Sequence, residues 1–243
     1  MKALSRPGVK SRATQLPCAG QNLGMPLALY KDLCLDANDP DALARFWGPA
    51  LGLRVEPLPD GDVRLVGERP QQTVWLNRVP EPKAVKHRVH LDLHAHSVAD
   101  LEALGGRVLD TLPHWTVLAD PEGGELCAFI RPEEPGLYEI VVDCVAHAPM
   151  SAWWAQVLGG TVGDDDRGFS WVENIPGAPF EALVFGDVPE PKTVKNRIHL
   201  DFMVSDLDAL IAAGARVLRP RNDDIGWHVL ADPEGNEFCA FTG

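Results

Sequence analysis

The sequence predicts an α+β protein made of four consecutive βαβββ units. Two recurring motifs carry that reading. VPEPKAVKHRVHLDL (79–93) returns as VPEPKTVKNRIHLDF (188–202), and VLADPEGGELCAF (117–129) returns as VLADPEGNEFCAF (229–241). They recur in the same order at matching spacing, so the chain is a tandem repeat. DLCLDANDPDALARFW (32–47) aligns more loosely with EIVVDCVAHAPMSAWW (139–154), with Trp47 falling on Trp154. The halves run 26–131 and 137–243, and the Pro- and Glu-rich stretch 132–136 links them. Residues 1–25 show no strand or helix periodicity and no apolar run, and are expected to be a flexible tail.

In the first unit, 27–36 reads as a strand. Asn38 or Asp39 can cap a helix with Pro40 in its first turn, and Leu43, Phe46 and Trp47 supply its buried stripe. Gly48–Pro49 and Gly52 end or kink it. Short strands are expected around 53–58, 62–66 and 72–77, with PDGD (59–62) as a hairpin turn. The second unit opens with a strand at 87–95. Its helix is clearest in the later copy, with Ser205 as cap, Leu207, Leu210 and Ile211 facing inward, and Gly214 as stop. A strand pair then closes on ADPEG, where proline suits the first central turn position and glycine tolerates positive φ.

Composition narrows the partners. The formal net charge is −13, from 35 acidic and 22 basic residues. A nucleic acid or an anionic membrane needs a basic footprint, so neither is expected. No apolar run approaches the ~20 residues of a membrane span. Five cysteines without a CxxC pair suit a reduced, cytoplasmic setting better than a disulfide framework.

Side-chain parity singles out the repeated strand. His90 and Asp92 share one face, opposite Val89, Leu91 and Leu93; His199 and Asp201 repeat the arrangement. In the preceding units, Asp32, Cys34 and Asp36 share a face, as do Glu139, Val141 and Asp143.

Four βαβββ units, an R-x-H-L-D strand opening the second unit of each half, and a closing ADPEG-x-E-x-C hairpin resemble the vicinal oxygen chelate superfamily. Its members include glyoxalase I, bleomycin-resistance proteins and extradiol dioxygenases. The resemblance spans nearly all of 26–243. It implies two glyoxalase-like domains and two cup-shaped, partly open mixed β-sheet barrels, with a divalent metal on the cup floor. By position, the implied ligands are Asp32, Asn77, His90 and Cys127 in the first half. In the second they are Glu139, Gly186, His199 and Cys239. Cysteine at both closing-strand positions and glycine at another depart from the family's usual His and Glu.

A carboxylate and an imidazole are therefore expected to meet in each cup, Asp32 with His90 and Glu139 with His199. The leading reading is a buried structural pair. The sharper one makes Glu139 and His199 catalytic, or makes Glu139, His199 and Cys239 a zinc set. The cofactor expectation is no metal; if one binds, zinc held by some of Asp32, His90, Cys127, Glu139, His199 and Cys239. Arg88 and Arg197 share the cavity parity, and either fork onto an anionic ligand or pair with Asp92 and Asp201. Trp75 and Trp227 are candidates to stack on a flat ligand, whereas Trp47, Trp153 and Trp154 are read as core.

No nucleophile elbow, phosphate loop or dinucleotide fingerprint occurs. The expected function is binding of a small organic molecule in a cup. The enzymatic form is lyase-, isomerase- or dioxygenase-like, with an eroded metal site. The alternative is non-catalytic sequestration, as the bleomycin-resistance resemblance implies. Single-half relatives commonly dimerise, and this chain carries both copies, so a monomer or weak homodimer is expected.

Overall fold

The computed structural model describes residues 25–243, so the tail expectation falls outside the described residues. Four βαβββ units are present in chain order. The first comprises β1 (Ala28–Ala37), α1 (Pro40–Ala50), β2 (Arg54–Pro57), β3 (Val63–Val66) and β4 (Val74–Arg78). The second comprises β5 (Val89–Ala95), α2 (Val98–Ala103), β6 (Arg107–Thr111), β7 (Thr116–Ala119) and β8 (Glu125–Ile130). The third comprises β9 (Gly136–Cys144), α3 (His147–Leu158), β10 (Thr161–Asp165), β11 (Phe169–Glu173) and β12 (Ala182–Asp187). The fourth comprises β13 (Ile198–Val204), α4 (Leu207–Ala212), β14 (Arg216–Arg219), β15 (His228–Ala231) and β16 (Glu237–Phe241).

Helix starts follow capping chemistry. Asp39 accepts from the Ala42 amide at α1 and Ser97 from the Asp100 amide at α2. At α4 the cap is Asp206, which accepts from Ala209 N at 2.9 Å; this corrects the expected Ser205, one residue too early. The α3 start has no side-chain cap of its own. Glu234, from the distant ADPEG turn, accepts from Val145 N and Ala146 N instead, at 2.6 and 2.9 Å.

The sheets join the halves in a way that the repeat alone does not specify. One runs β14-β15-β16-β13-β1-β4-β3-β2 and the other β10-β11-β12-β9-β5-β8-β7-β6. The first and fourth units thus share one sheet, and the second and third share the other. At the centres, β1 pairs antiparallel with β13, and β5 antiparallel with β9. This corrects the expected meeting of Asp32 with His90 and of Glu139 with His199. The carboxylate and imidazole of each expected pair lie in different sheets.

The apolar faces of the central strands supply Leu33, Leu35, Leu91, Leu93, Ile140, Val142, Leu200 and Phe202 to one continuous core. Phe46, Trp47, Trp153, Trp154, Leu101 and Leu210 reach it from the helices. Buried indole N–H groups need acceptors. Trp47 donates to Asp120 Oδ2 at 3.2 Å, and Trp154 to Asp232 Oδ2 at 3.4 Å. Helix and ADPEG turn are therefore tied within each half, while the sheets tie the halves to each other. Among the described residues, no helix is long and apolar enough to cross a membrane.

Candidate functional site

Each sheet has a concave face lined by the polar parity of its central strands. A register shift between Tyr30 and Asp32 turns Tyr30 into the core and leaves Asp32 and Cys34 on the concave side. The cup formed by β1–β4 and β13–β16 holds a cavity of about 540 Å³. Cys34, His199, Asp201 and Cys239 reach it from the floor; Trp75, Trp227 and Phe241 line its walls; Lys31 and Lys195 also border it.

Floor geometry follows the ladder. Asp32 stands opposite Asp201, and Cys34 opposite His199. Asp32 Oδ2 accepts from Trp75 Nε1 at 3.1 Å and from Lys31 Nζ at 2.6 Å. Cys34 Sγ donates to Asp201 Oδ2 at 3.6 Å, and His199 Nε2 lies 3.6 Å from Asp201 Oδ1. Burial, and next the Asp32 carboxylate, pushes the Asp201 carboxyl up to about 7. Burial lowers His199 to about 4, with Lys195 adding to the effect, so its ring is neutral at physiological pH. Burial and the flanking carboxylates raise the Cys34 thiol well above its usual range. On the wall, Trp227 stacks on Phe241 with centroids 5.4 Å apart, and Lys31 Nζ sits 4.3 Å from the Phe241 centroid.

The other cup repeats the floor but fills the space above it. Asp92 stands opposite Glu139, which is fully buried, and His90 Nε2 lies 3.4 Å from Asp92 Oδ1. Burial, then Glu139, holds the Asp92 carboxyl well above the carboxylate range, and burial lowers His90 to about 4. Val141, Phe169, Ala182 and Val184 pack together with Trp171 over one side of this face. Val117, Cys127 and Phe129 pack with Trp115 and Tyr138 over the other. The registers give the equivalences: Val141 and Val184 pair here as Cys34 and Trp75 pair in the open cup, and Trp171 stands where Arg64 does. His94, near the end of β5, stacks on Tyr138 with centroids 4.4 Å apart.

Several expected site residues are brought together and others are not. Trp75, Trp227, His199 and Cys239 share the open cavity, with Asp32 hydrogen-bonded to Trp75 beneath it. His90, Cys127 and Glu139 belong to the packed cup, so Glu139 cannot join His199 and Cys239. Arg88 and Arg197 pair with neither Asp92 nor Asp201. The Arg88 guanidinium donates to the carbonyls of Asp143 and Glu190. Arg197 donates to the carbonyls of Glu81 and Asp36 and to Glu122 Oε2. Each arginine fastens the loop of the opposite half, and both line a separate cleft between the two PEPK loops. The sequence reading missed Phe241 and Lys31 as cavity residues. Strand parity pointed to the first, since Phe241 lies two residues beyond Cys239.

The family's implied metal does not fit at the family's positions. Asn77 offers only an amide and Gly186 offers no side-chain donor. Among the described residues, the donors that converge within 4.8 Å of one another are Cys34, His199 and Asp201 in the open cup, and His90, Asp92 and Cys127 in the packed one. Asp32, Glu139 and Cys239 stand outside both groups.

Comparison with known proteins agrees with the architecture. A family model described as a glyoxalase-like domain matches twice, over residues 32–129 and 139–241. The structure is similar to glyoxalase I from Zea mays, at 14% identity and a TM-score of 0.62 over 88% of this chain and 92% of that one. It is also similar to a putative dioxygenase from Bacillus subtilis, at 11% identity and a TM-score of 0.61 over 89% and 86%. At such identities the likeness speaks for the fold alone. No match was found among curated proteins. With both halves matched, the chain belongs to the glyoxalase-like domain family of the vicinal oxygen chelate superfamily, with the domain present in tandem.

Proposed function

We propose that the protein binds a small, flat organic molecule in the cup of β1–β4 and β13–β16, and that the other cup serves as packing. One contrast carries this reading. The open cup keeps a cavity of about 540 Å³ walled by Trp75, Trp227 and Phe241, whereas Phe169, Val184 and Val141 pack over the corresponding face of its counterpart. A largely apolar cavity with a few convergent polar groups is the usual form of a small-molecule site. Aromatic walls suit a planar ligand, and the floor offers Asp201, His199 and two thiols to orient it. Among the described residues, the cysteines Cys34, Cys127, Cys144 and Cys239 are buried and unpaired, which suits a reducing compartment such as the cytoplasm. Because both copies of the domain complete each other's sheets, we take the working form to be a monomer or weak homodimer.

Native mass spectrometry of the purified protein against a panel of planar aromatic compounds tests the reading. Saturable binding should be lost in Trp227→Ala and kept in Trp171→Phe, which lies in the packed cup. No binding by any compound, or binding indifferent to Trp227→Ala and Trp75→Ala, would end it. Turnover and sequestration separate in the same experiment. A ligand recovered at unchanged mass after long incubation indicates sequestration, and an altered mass indicates an enzyme.

A further inference from the structure

We infer that the ligand of the open cup is a planar ring bearing an unbranched apolar chain, with the ring against Trp227 and Phe241 and the chain running out of the cup over Met203 and Leu29. The inference rests on the proposed role of that cup and adds the class of its ligand. Met203 lies two residues beyond Asp201 on β13 and so keeps the concave parity. In register, Met203 has Phe241 of β16 on one side and Leu29 of β1 on the other. Phe241 lines the cavity and stacks on Trp227. The aromatic wall is thus prolonged, strand by strand, into two aliphatic side chains outside the cavity, 44% and 46% exposed for Met203 and Leu29. Lys31 stands at the border, its ammonium held by Asp32 at 2.6 Å and by the face of Phe241. A lysine so held offers its methylene stem to apolar neighbours.

Single exposed apolar residues are ordinary and need no explanation. The internal repeat gives these two a meaning. The same registers in the packed cup run Gly136, His94, Phe129, so neither aliphatic side chain recurs there. Tyr138, which stands where Lys31 does, stacks on His94 at 4.4 Å and closes that rim. The aliphatic pair therefore accompanies the open cup and is missing from the filled one. Exposed apolar surface continuous with a groove marks a ligand path. From Phe241 to Leu29 the path crosses two strand spacings, about 10 Å, which an extended chain covers in about eight bonds.

Equilibrium dialysis of the full-length protein against 4-alkylphenols, from methyl to dodecyl, tests the inference. Affinity should rise by up to about fourfold per methylene and level off at about eight carbons. Leu29→Ser and Met203→Ser, singly and together, should flatten that rise and leave the affinity for 4-methylphenol unchanged. Both residues are exposed, so the fold tolerates the change. Leu109→Ser, an equally exposed leucine on β6, should leave the rise intact. Trp227→Ala should weaken every member of the series alike. Affinity independent of chain length would overturn the inference, as would a rise that survives the double variant. A wild-type dimer that the double variant splits into monomers would also overturn it, because a second copy would then cover the shelf. Failure of every alkylphenol to bind would count against the chain-bearing class. The planar panel tests the cup by itself, so the two readings can fail separately.

Discussion

Asp32 on β1 stands directly across the ladder from Asp201 on β13, and both are buried. Lys31 and Trp75 both donate to the Oδ2 atom of Asp32, while the Oδ1 atoms of the two aspartates have no donor. Cross-strand carboxylates at such range repel unless one keeps a proton. The packed cup repeats the motif with Asp92 opposite Glu139. Two carboxyl groups thus face each other at the centre of each sheet, and burial with mutual repulsion favours a proton on one of them.

This arrangement sets a pH dependence. Asp201 titrates near 7 in the folded protein, against about 4 in the unfolded chain. Between those values the folded state holds more protons, so its contribution to stability is complete below about pH 4 and is lost as pH rises through 7. Asp201→Asn removes that loss and gives Asp32 an amide donor. The variant should be more stable than wild type at pH 8, by up to about 3 kcal/mol, with the gain shrinking toward pH 5. Urea denaturation at the two pH values measures this; a gain independent of pH would mean that the pair does not share a proton.

His87 acts with the opposite sign. Burial lowers it to about 4, and neither ring nitrogen has a hydrogen-bond partner. The unfolded chain binds the extra proton below about 6.5, so this stability is present in full above 6.5 and fades as pH falls toward 4. In the second half the same position is Asn196, which donates to Asn236 Oδ1 at 2.9 Å. His87→Asn should reduce the acid-induced fall in melting temperature between pH 6.5 and 4.5. An unchanged slope would show that His87 is solvated.

The same pair of positions makes a second prediction. Gly124 is the counterpart of Asn236, and a Cβ there would come within 2.8 Å of His87 Cε1 and 2.7 Å of Asp120 Oδ2. Gly124→Asn alone should cost about 1–3 kcal/mol through overpacking. Combined with His87→Asn it should regain much of that, because the pair then reproduces the Asn196–Asn236 bond. A double-mutant cycle without favourable coupling would count against the equivalence of the two turns.

An isolated half provides a fourth test. Residues 132–243 alone leave β9 and β13 without their partners β5 and β1. Since β5 and β13 carry the same motif, two copies can pair β9 of each with β13 of the other. Light scattering should find a dimer with native-like circular dichroism. A stable folded monomer would mean that a half can close its own sheet.

Much of this was legible in the sequence. The repeat delivered four units, and strand parity placed His90, Asp92, His199 and Asp201 on concave faces. Strand partnership was not legible, because β5 and β13 offer β1 nearly the same apolar pattern and alternation sets register only once the partner is fixed. Asp32 therefore fell to His90 on paper and to Asp201 in space. Which cup stays open depends on Phe169, Trp171 and Val184 facing one floor where Asp62, Arg64 and Trp75 face the other. That contrast is written in the residues, but it acquires meaning only after the registers align them. The shift of the cap from Ser205 to Asp206 reflects two adjacent residue types that both make good caps.

The interleaved sheets also constrain the order in which the protein can be made. When the first 131 residues have been synthesised, β1 and β5 still wait for strands encoded in the second half. Both carry long apolar faces, and their unpaired edges can recruit other nascent chains. The final closure joins β1 to β13, across most of the polypeptide, so loop-closure entropy must be overcome before the central ladder contributes. Folding should accordingly be slow and completed only after synthesis, with a window in which crowding of nascent chains on one messenger favours exchange of halves between neighbours.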